Sequence, residues 1–268
     1  MKRPNLAVGL AILIATSLHA QNKLPLEPLR DSGQSVTGAF EGWFKNSDGT
    51  FSMLVGYFNR NLKQDLDIPT GPNNTISPGG PDRGQPTHFA TGRAWGVFVV
   101  TVPANFGNSK LTWSITANNQ TTTIPLSLNP LWEISPFSET GIGNTPPVVS
   151  FDNQTTVQGP KSIQGPELSA TVGKPLPLSI RVADDAKVGR GAIAPTAPPI
   201  TVTWSKFRGP ANVAFTKPTI DQGRASATAT FSEPGDYILL VVANDWSGDG
   251  GRGFQCCWTT AQVRVAVR

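Results

Sequence analysis

The stretch from Pro199 to Arg268 constrains the fold more than any other part of the chain. Ile200–Lys206, Arg224–Phe231, Asp236–Asn244 and Thr259–Val267 each alternate apolar and polar residues, with Gly, Pro or Asp punctuating the gaps. Period 2 puts successive side chains on opposite faces of a strand, so one face is buried and the other solvated. Short strands of this kind at close spacing predict a two-sheet sandwich. The 24 prolines and 27 glycines argue against long helices, since both residues are poor in helix interiors. The predicted class is all-β, as two tandem β-sandwich domains.

Five further strands are predicted upstream, at Val36–Lys45, Thr50–Asn59, Arg93–Val102, Lys110–Ala117 and Thr121–Leu128. Asp48-Gly49 joins the first two and Asn118-Asn119 the last two, both strong hairpin signals. They form a first domain over 36–135, interrupted by a long Gly/Pro loop at 60–92 whose low aliphatic content predicts a surface feature. Residues 21–35 read as a lead-in, and 136–147, ending in Pro146-Pro147, as a stiff linker. A second domain follows over 148–268, with strands at Val148–Phe151, Leu168–Val172, Pro175–Ala183, Ile200–Lys206, Val213–Phe215, Arg224–Phe231, Asp236–Asn244 and Thr259–Val267.

Residues 1–20 read as a cleavable export signal: Lys2 and Arg3, an apolar run from Leu6 to Ser17, then Leu18-His19-Ala20 ahead of Gln21. Those twelve residues, rising about 1.5 Å each, are too short to cross a membrane core about 30 Å thick. No second long apolar run follows, so no transmembrane segment is expected after signal removal, and the expected location is secreted, periplasmic or cell-surface. The formal net charge of +4 falls to +2 without Lys2 and Arg3. The remaining basic residues are scattered, which argues against a nucleic-acid partner.

The second domain carries Thr203-Trp204-Ser205, Gly209-Pro210, Ala229-Thr230-Phe231 and Pro234-Gly235-Asp236-Tyr237, the last running into Ile238–Ala243 and Asn244-Asp245, with a final strand at Gln262–Val267. Over roughly 146–268 this resembles the polycystic-kidney-disease-type (PKD) domain family and its immunoglobulin-like relatives. It lacks that family's Trp-Asp-Phe-Gly-Asp-Gly run; Asp245–Gly250 reads Asp-Trp-Ser-Gly-Asp-Gly, later in the chain. The resemblance implies an extracellular spacer or interaction module and supplies no catalytic residues. Trp204 is expected to fill the space between sheets, and Tyr237 to occupy a tyrosine corner, its hydroxyl bonding to upstream backbone.

Candidate chemistry is sparse. Cys256 and Cys257 are adjacent and are the only cysteines. Three states compete: a vicinal disulfide, two free thiols, or a redox or metal site. Export favours oxidation, and the disulfide is the expected one. They lie in Asp245–Trp258, where Trp246, Phe254 and Trp258 either offer stacking surfaces to a sugar or peptide or plug the end of the sandwich. Trp43, Trp95, Trp113 and Trp132 in the first domain are likewise core or a sugar platform, with core favoured for Trp95 and Trp113. Asp184, Asp185, Asp245 and Asp249 near strand ends are candidate calcium ligands, though Asp-Gly clusters in loops are more often turn formers; no cofactor is expected.

His88 is the one histidine beyond the signal segment. Asp82, Arg83 and His88 in the 60–92 loop are the best available catalytic or binding group. No Gly-x-Ser-x-Gly, His-Glu-x-x-His or phosphate-cradling glycine motif is present. The expected function is therefore an exported, non-enzymatic surface interaction, adhesion or display module whose partner is a protein or glycan. A carbohydrate-binding module and a hydrolase using the 60–92 loop are the alternatives.

Overall fold

A computed structural model describes residues 30–139, 141, 143–152, 155–187, 200–245 and 256–268. The expected signal segment, and with it Trp246, Asp249 and Phe254, lies outside the described residues. Within them the chain is all-β: eighteen strands and one 3-10 turn at Pro130–Trp132.

The first sandwich opposes two three-stranded antiparallel sheets. One has the order β1 (Val36–Lys45), β2 (Phe51–Asn59), β6 (Gly92–Val102); the other has β4 (Asn74–Ser77), β7 (Lys110–Ala117), β8 (Gln120–Ser127). The hairpin residues act as expected. Gly49 has φ +87°, while Asn118 and Asn119 have φ of 49° and 61°, the left-handed pair of a two-residue hairpin turn. Met53, Val55, Phe98, Val100, Trp113 and Ile115 fill the space between the sheets.

The 60–92 segment departs from the expectation of a surface loop. It contributes β4 to the second sheet, and β3 (Leu66–Asp67) pairs with β5 (His88–Phe89) as a short ribbon. Ile76 and Phe89 are fully buried. So are Asn74 and Gln85, whose side chains bond backbone carbonyls of the same segment: Asn74 Nδ2 donates to Ile68 and Pro86, and Gln85 Nε2 to Pro81. Buried side-chain amides satisfy the irregular backbone here, where ladder hydrogen bonds do so in a regular strand.

In the second sandwich one sheet runs β10 (Thr156–Gln158), β9 (Val148–Ser150), β12 (Leu176–Ala183), β16 (Arg224–Phe231), β14 (Val213–Phe215), with β15 (Thr219–Asp221) also on β16. The other runs β11 (Pro160–Ala170), β18 (Trp258–Val267), β17 (Gly235–Asp245), β13 (Ile200–Arg208), and β11 pairs with β18 in parallel. This six-on-four arrangement, antiparallel apart from that edge, is immunoglobulin-like. Leu178, Ile180, Ala225, Ala229, Phe231, Ala261, Val263, Val265 and Val267 point inward as their alternation demands. Tyr237 Oη donates to the Glu233 carbonyl at 2.9 Å, closing the expected tyrosine corner, and its ring meets Phe231 edge-on at 4.8 Å.

Two of the strands that differ from the expectation bear on the joint. β11 begins eight residues before Leu168, because an edge strand tolerates Pro160, Gly165 and Pro166. On β17 both faces are covered. Tyr237, Leu239, Val241 and Ala243 enter the second core, while Leu240 lies fully within the first sandwich's apolar cluster, with Ile238 and Val242 packed against it. An apolar run without true alternation is the mark of a strand buried on both sides.

Candidate functional site

Of the residues singled out in the 60–92 segment, Asp82 and His88 lie at the joint between the two sandwiches, on separate partners, and Arg83 does not. β13 carries a register shift between Lys206 and Arg208, which turns Phe207 out of its own sandwich and into the first core. The Thr87 amide donates to the Phe207 carbonyl at 3.1 Å. On one side of Phe207, Arg208 donates from Nη1 and Nη2 to both oxygens of Asp82 at 2.8 Å and from Nε to the Gln85 carbonyl at 2.9 Å. The hydrogen bonds from Arg208 hold the Asp82 carboxyl below the usual carboxylate range.

On the other side, Lys206 Nζ lies 2.9 Å from Asp67 Oδ1, and the Lys206 side chain is only 3% exposed. Asp67 Oδ1 also lies 2.9 Å from His88 Nδ1, and Asp65 Oδ2 lies 3.5 Å from His88 Nε2. Burial pushes the Asp67 carboxyl up, but hydrogen bonds and charge from His88 and Lys206 outweigh it and hold it low.

This geometry does not resemble a nucleophilic triad. A Ser-His-Asp arrangement needs one imidazole nitrogen on the carboxylate and the other on the nucleophile, whereas here both face carboxylates. Asp82 is engaged by Arg208 of the opposite sandwich, whereas His88 is held by Asp65 and Asp67 of its own segment, and it is Asp67 that meets Lys206. Arg83 turns away from both; its Nη2 donates to the Pro78 carbonyl at 2.7 Å. Three well-formed depressions have volumes of about 470, 280 and 330 Å3, and none is lined by Asp82, Arg83 or His88. The largest runs over the outer face of β11, β18 and β17, between Glu167, Arg208, Asp236 and Arg264.

A second set of contacts closes the joint. Trp258, a candidate stacking residue, is fully buried and so presents no face to a sugar. Its ring lies on Gly96, where an added Cβ would come within 2.3 Å of Cζ2. Gly96 has φ +47° and sits where β6 bulges against β2. Glu41, with a side chain 2% exposed, accepts from the Gly96 amide at 2.8 Å and pairs with Arg93 at 2.5 Å. Residues on either side of the middle of the 136–147 segment are packed as well: Phe137 meets Phe44 edge-on at 5.0 Å, and Pro146 and Pro147 are buried.

Cys256 and Cys257, 3% and 0% exposed, are joined as a vicinal disulfide across a cis peptide, with Cα atoms 3.1 Å apart. The Cys257 sulfur rests 3.5 Å from the Asn144 carbonyl oxygen. Asn144 Nδ2 donates to Asp245 at 2.6 Å. Burial, with the charges of Asp245 and Asp185, pushes the Asp184 carboxyl up. Among the described residues no group of three or more His, Cys, Asp or Glu is placed to hold a metal ion.

The first-sandwich tryptophans do not share a platform. Trp43 and Trp113 are buried, with indole nitrogens bonded to the Asn129 carbonyl and Asn74 Oδ1 at 2.8 and 2.9 Å. Trp95 lies under the Arg93 guanidinium at 3.9 Å. Trp132 is 49% exposed beside Leu131 at 90%, on a turn fixed to β1 by the Ile134 amide donating to the Trp43 carbonyl at 2.9 Å.

The residues that make the joint, Asp65, Asp67, Lys206, Phe207, Arg208 and Gly96, were not singled out from sequence. Two signals point to them: the apolar Tyr237–Ala243 run, too continuous for a half-exposed strand, and Lys-Phe-Arg at the end of β13, which breaks its alternation.

No known protein family matches the sequence, and no curated protein matches it either. Among solved structures, the chain is similar to titin domains Z1Z2 in complex with telethonin (13% identity, 88% of this chain and 98% of that one, TM-score 0.27). It is similar also to domains 4 and 5 of the S-layer protein SbsC (11% identity, 87% and 98%, TM-score 0.26). A third is an endo-fucoidan hydrolase of glycoside hydrolase family 107 (11% identity, 87% of this chain and 29% of that one, TM-score 0.26). At such scores these likenesses carry no argument about function, and the fold assignment rests on the strand topology above. Among the described residues no helix is long and apolar enough to cross a membrane.

Proposed function

We propose that the chain is an exported, non-enzymatic module that holds two β-sandwiches in one fixed orientation for surface interaction or display. The observation that carries this reading is the joint. Asp82 is spent on an ion pair with Arg208 across the joint, His88 is held by Asp65 and by Asp67, which itself pairs with Lys206 across the joint, and apolar side chains fill the space between these contacts. PKD-type identity for the second sandwich belongs to the same proposal, supported by the Pro234–Tyr237 corner and the Trp204 strand. The test is a hydrolysis screen over esters, peptides and polysaccharides, comparing the parent chain with His88→Ala and Asp82→Asn. No turnover above background is expected, and turnover that either substitution abolishes overturns the proposal.

One observation favours a second reading, carbohydrate binding. Trp132 is half exposed on a turn locked to β1, and a rigid exposed ring suits stacking on a sugar. Retention on insoluble polysaccharides that disappears in Trp132→Ala would support it; equal retention of both proteins would remove it.

A further inference from the structure

The second sandwich contains a cavity of about 330 Å3 between its two sheets. Phe151, Leu168, Leu178 and Val263 form its apolar walls, and the Trp204 ring faces it from β13. Trp204 and Val263 are 8% and 1% exposed, so the cavity reaches into the core. Protein interiors rarely leave voids much larger than a water molecule, and an apolar void of about 150 Å3 already suffices to hold benzene. At about 30 Å3 per water-sized unit, this one has room for roughly ten heavy atoms.

Its solvent side is polar. Asp152 and Ser179 are its polar lining residues, and Arg224 connects them: Nη1 donates to Ser179 Oγ at 2.6 Å, and Nη2 lies 3.5 Å from Asp152 Oδ1. The Arg224 and Asp152 side chains are 39% and 68% exposed. At that separation and exposure the pair is weak, and a carboxylate arriving from solvent can take the guanidinium in better geometry. The site thus offers an apolar slot sized for a short chain or single ring, with the Arg224 guanidinium bonded to two residues of its lining.

We propose that this cavity binds small monocarboxylates, the aliphatic or aromatic tail against Trp204 and the carboxylate on Arg224. The test titrates the full chain with octanoate and, separately, with octyltrimethylammonium, which keeps the tail and reverses the head-group charge. The methyl NMR signals of Leu178 and Val263 are followed. Octanoate is expected to give saturable shifts in both residues and the cation none. Arg224→Gln is expected to weaken octanoate at least tenfold. No saturable shift, or equal shifts with both head groups, overturns the proposal. So does an Arg224→Gln protein that folds and binds octanoate with unchanged affinity. The two-head-group comparison needs no variant, so it decides the matter even if that substitution disturbs folding.

Discussion

Trp258 of the second sandwich lies directly on Gly96 of the first, so close that no β-carbon fits between them. Gly96 also has φ +47° and accepts no L side chain without strain. Gly96→Ala therefore combines backbone strain with overpacking and is expected to cost about 2–4 kcal/mol. A urea titration followed by tryptophan fluorescence measures it; a midpoint equal to that of the parent would show that the joint gives way freely.

Asp67 serves Lys206 and His88 at once. Asp67→Asn leaves the Lys206 ammonium, 3% exposed, with its charge unpaired. Because Asp67 is half exposed and solvent can compensate in part, the expected loss is about 1–3 kcal/mol. Lys206→Met, which removes the charge and keeps the stem, is expected to cost less. Equal losses in the two variants would mean that pairing is not what matters there.

Acid should loosen the same joint. The folded carboxyls of Asp67 and Asp82 are held below their unfolded values. Their contribution is fully present above the unfolded pKa of about 3.9 and is lost as pH falls through the lower folded values. Asp184 has the opposite sign: its folded pKa is raised, so its ionisation disfavours the fold as pH rises through that range. Asp184→Asn is expected to raise stability at neutral pH, with the gain vanishing in acid. Thermal midpoints across pH 3–7 distinguish the two behaviours.

Tyr237→Phe removes the hydroxyl that reaches the Glu233 carbonyl and keeps the ring against Phe231. A loss of about 1 kcal/mol is expected, readable as a shift in denaturant midpoint with an unchanged slope.

Intact mass after alkylation in denaturant tests the vicinal disulfide. Without reductant neither cysteine is expected to react, and after reduction both should. Two modified cysteines in the unreduced sample would rule the disulfide out.

Most strands were legible because alternation is a local property. β1, β7, β14 and β16 match their expected limits, and Trp204 and Tyr237 occupy the structural positions that their motifs imply. The 60–92 segment was opaque because Asn74 and Gln85 stabilise it through buried amide-to-carbonyl bonds, and such bonds leave no periodic trace. The joint was opaque for a different reason. Asp67 and Lys206 are 139 residues apart, and only the docking of two sheets brings them together. His88 drew notice as a lone imidazole, but its two aspartate neighbours were hidden among ordinary loop acids.

Strand β17, covered on both faces, bears on how this chain can be divided. Its Pro146-Pro147 segment invites a cut into two independent halves. A fragment beginning at Val148 would expose Phe207, Ile238, Leu240 and Val242 to water as one greasy patch on an otherwise complete sandwich. Such a fragment is expected to self-associate even though its own core is intact. The folding unit, the expression unit and the smallest soluble unit are then the same object, the pair of sandwiches together.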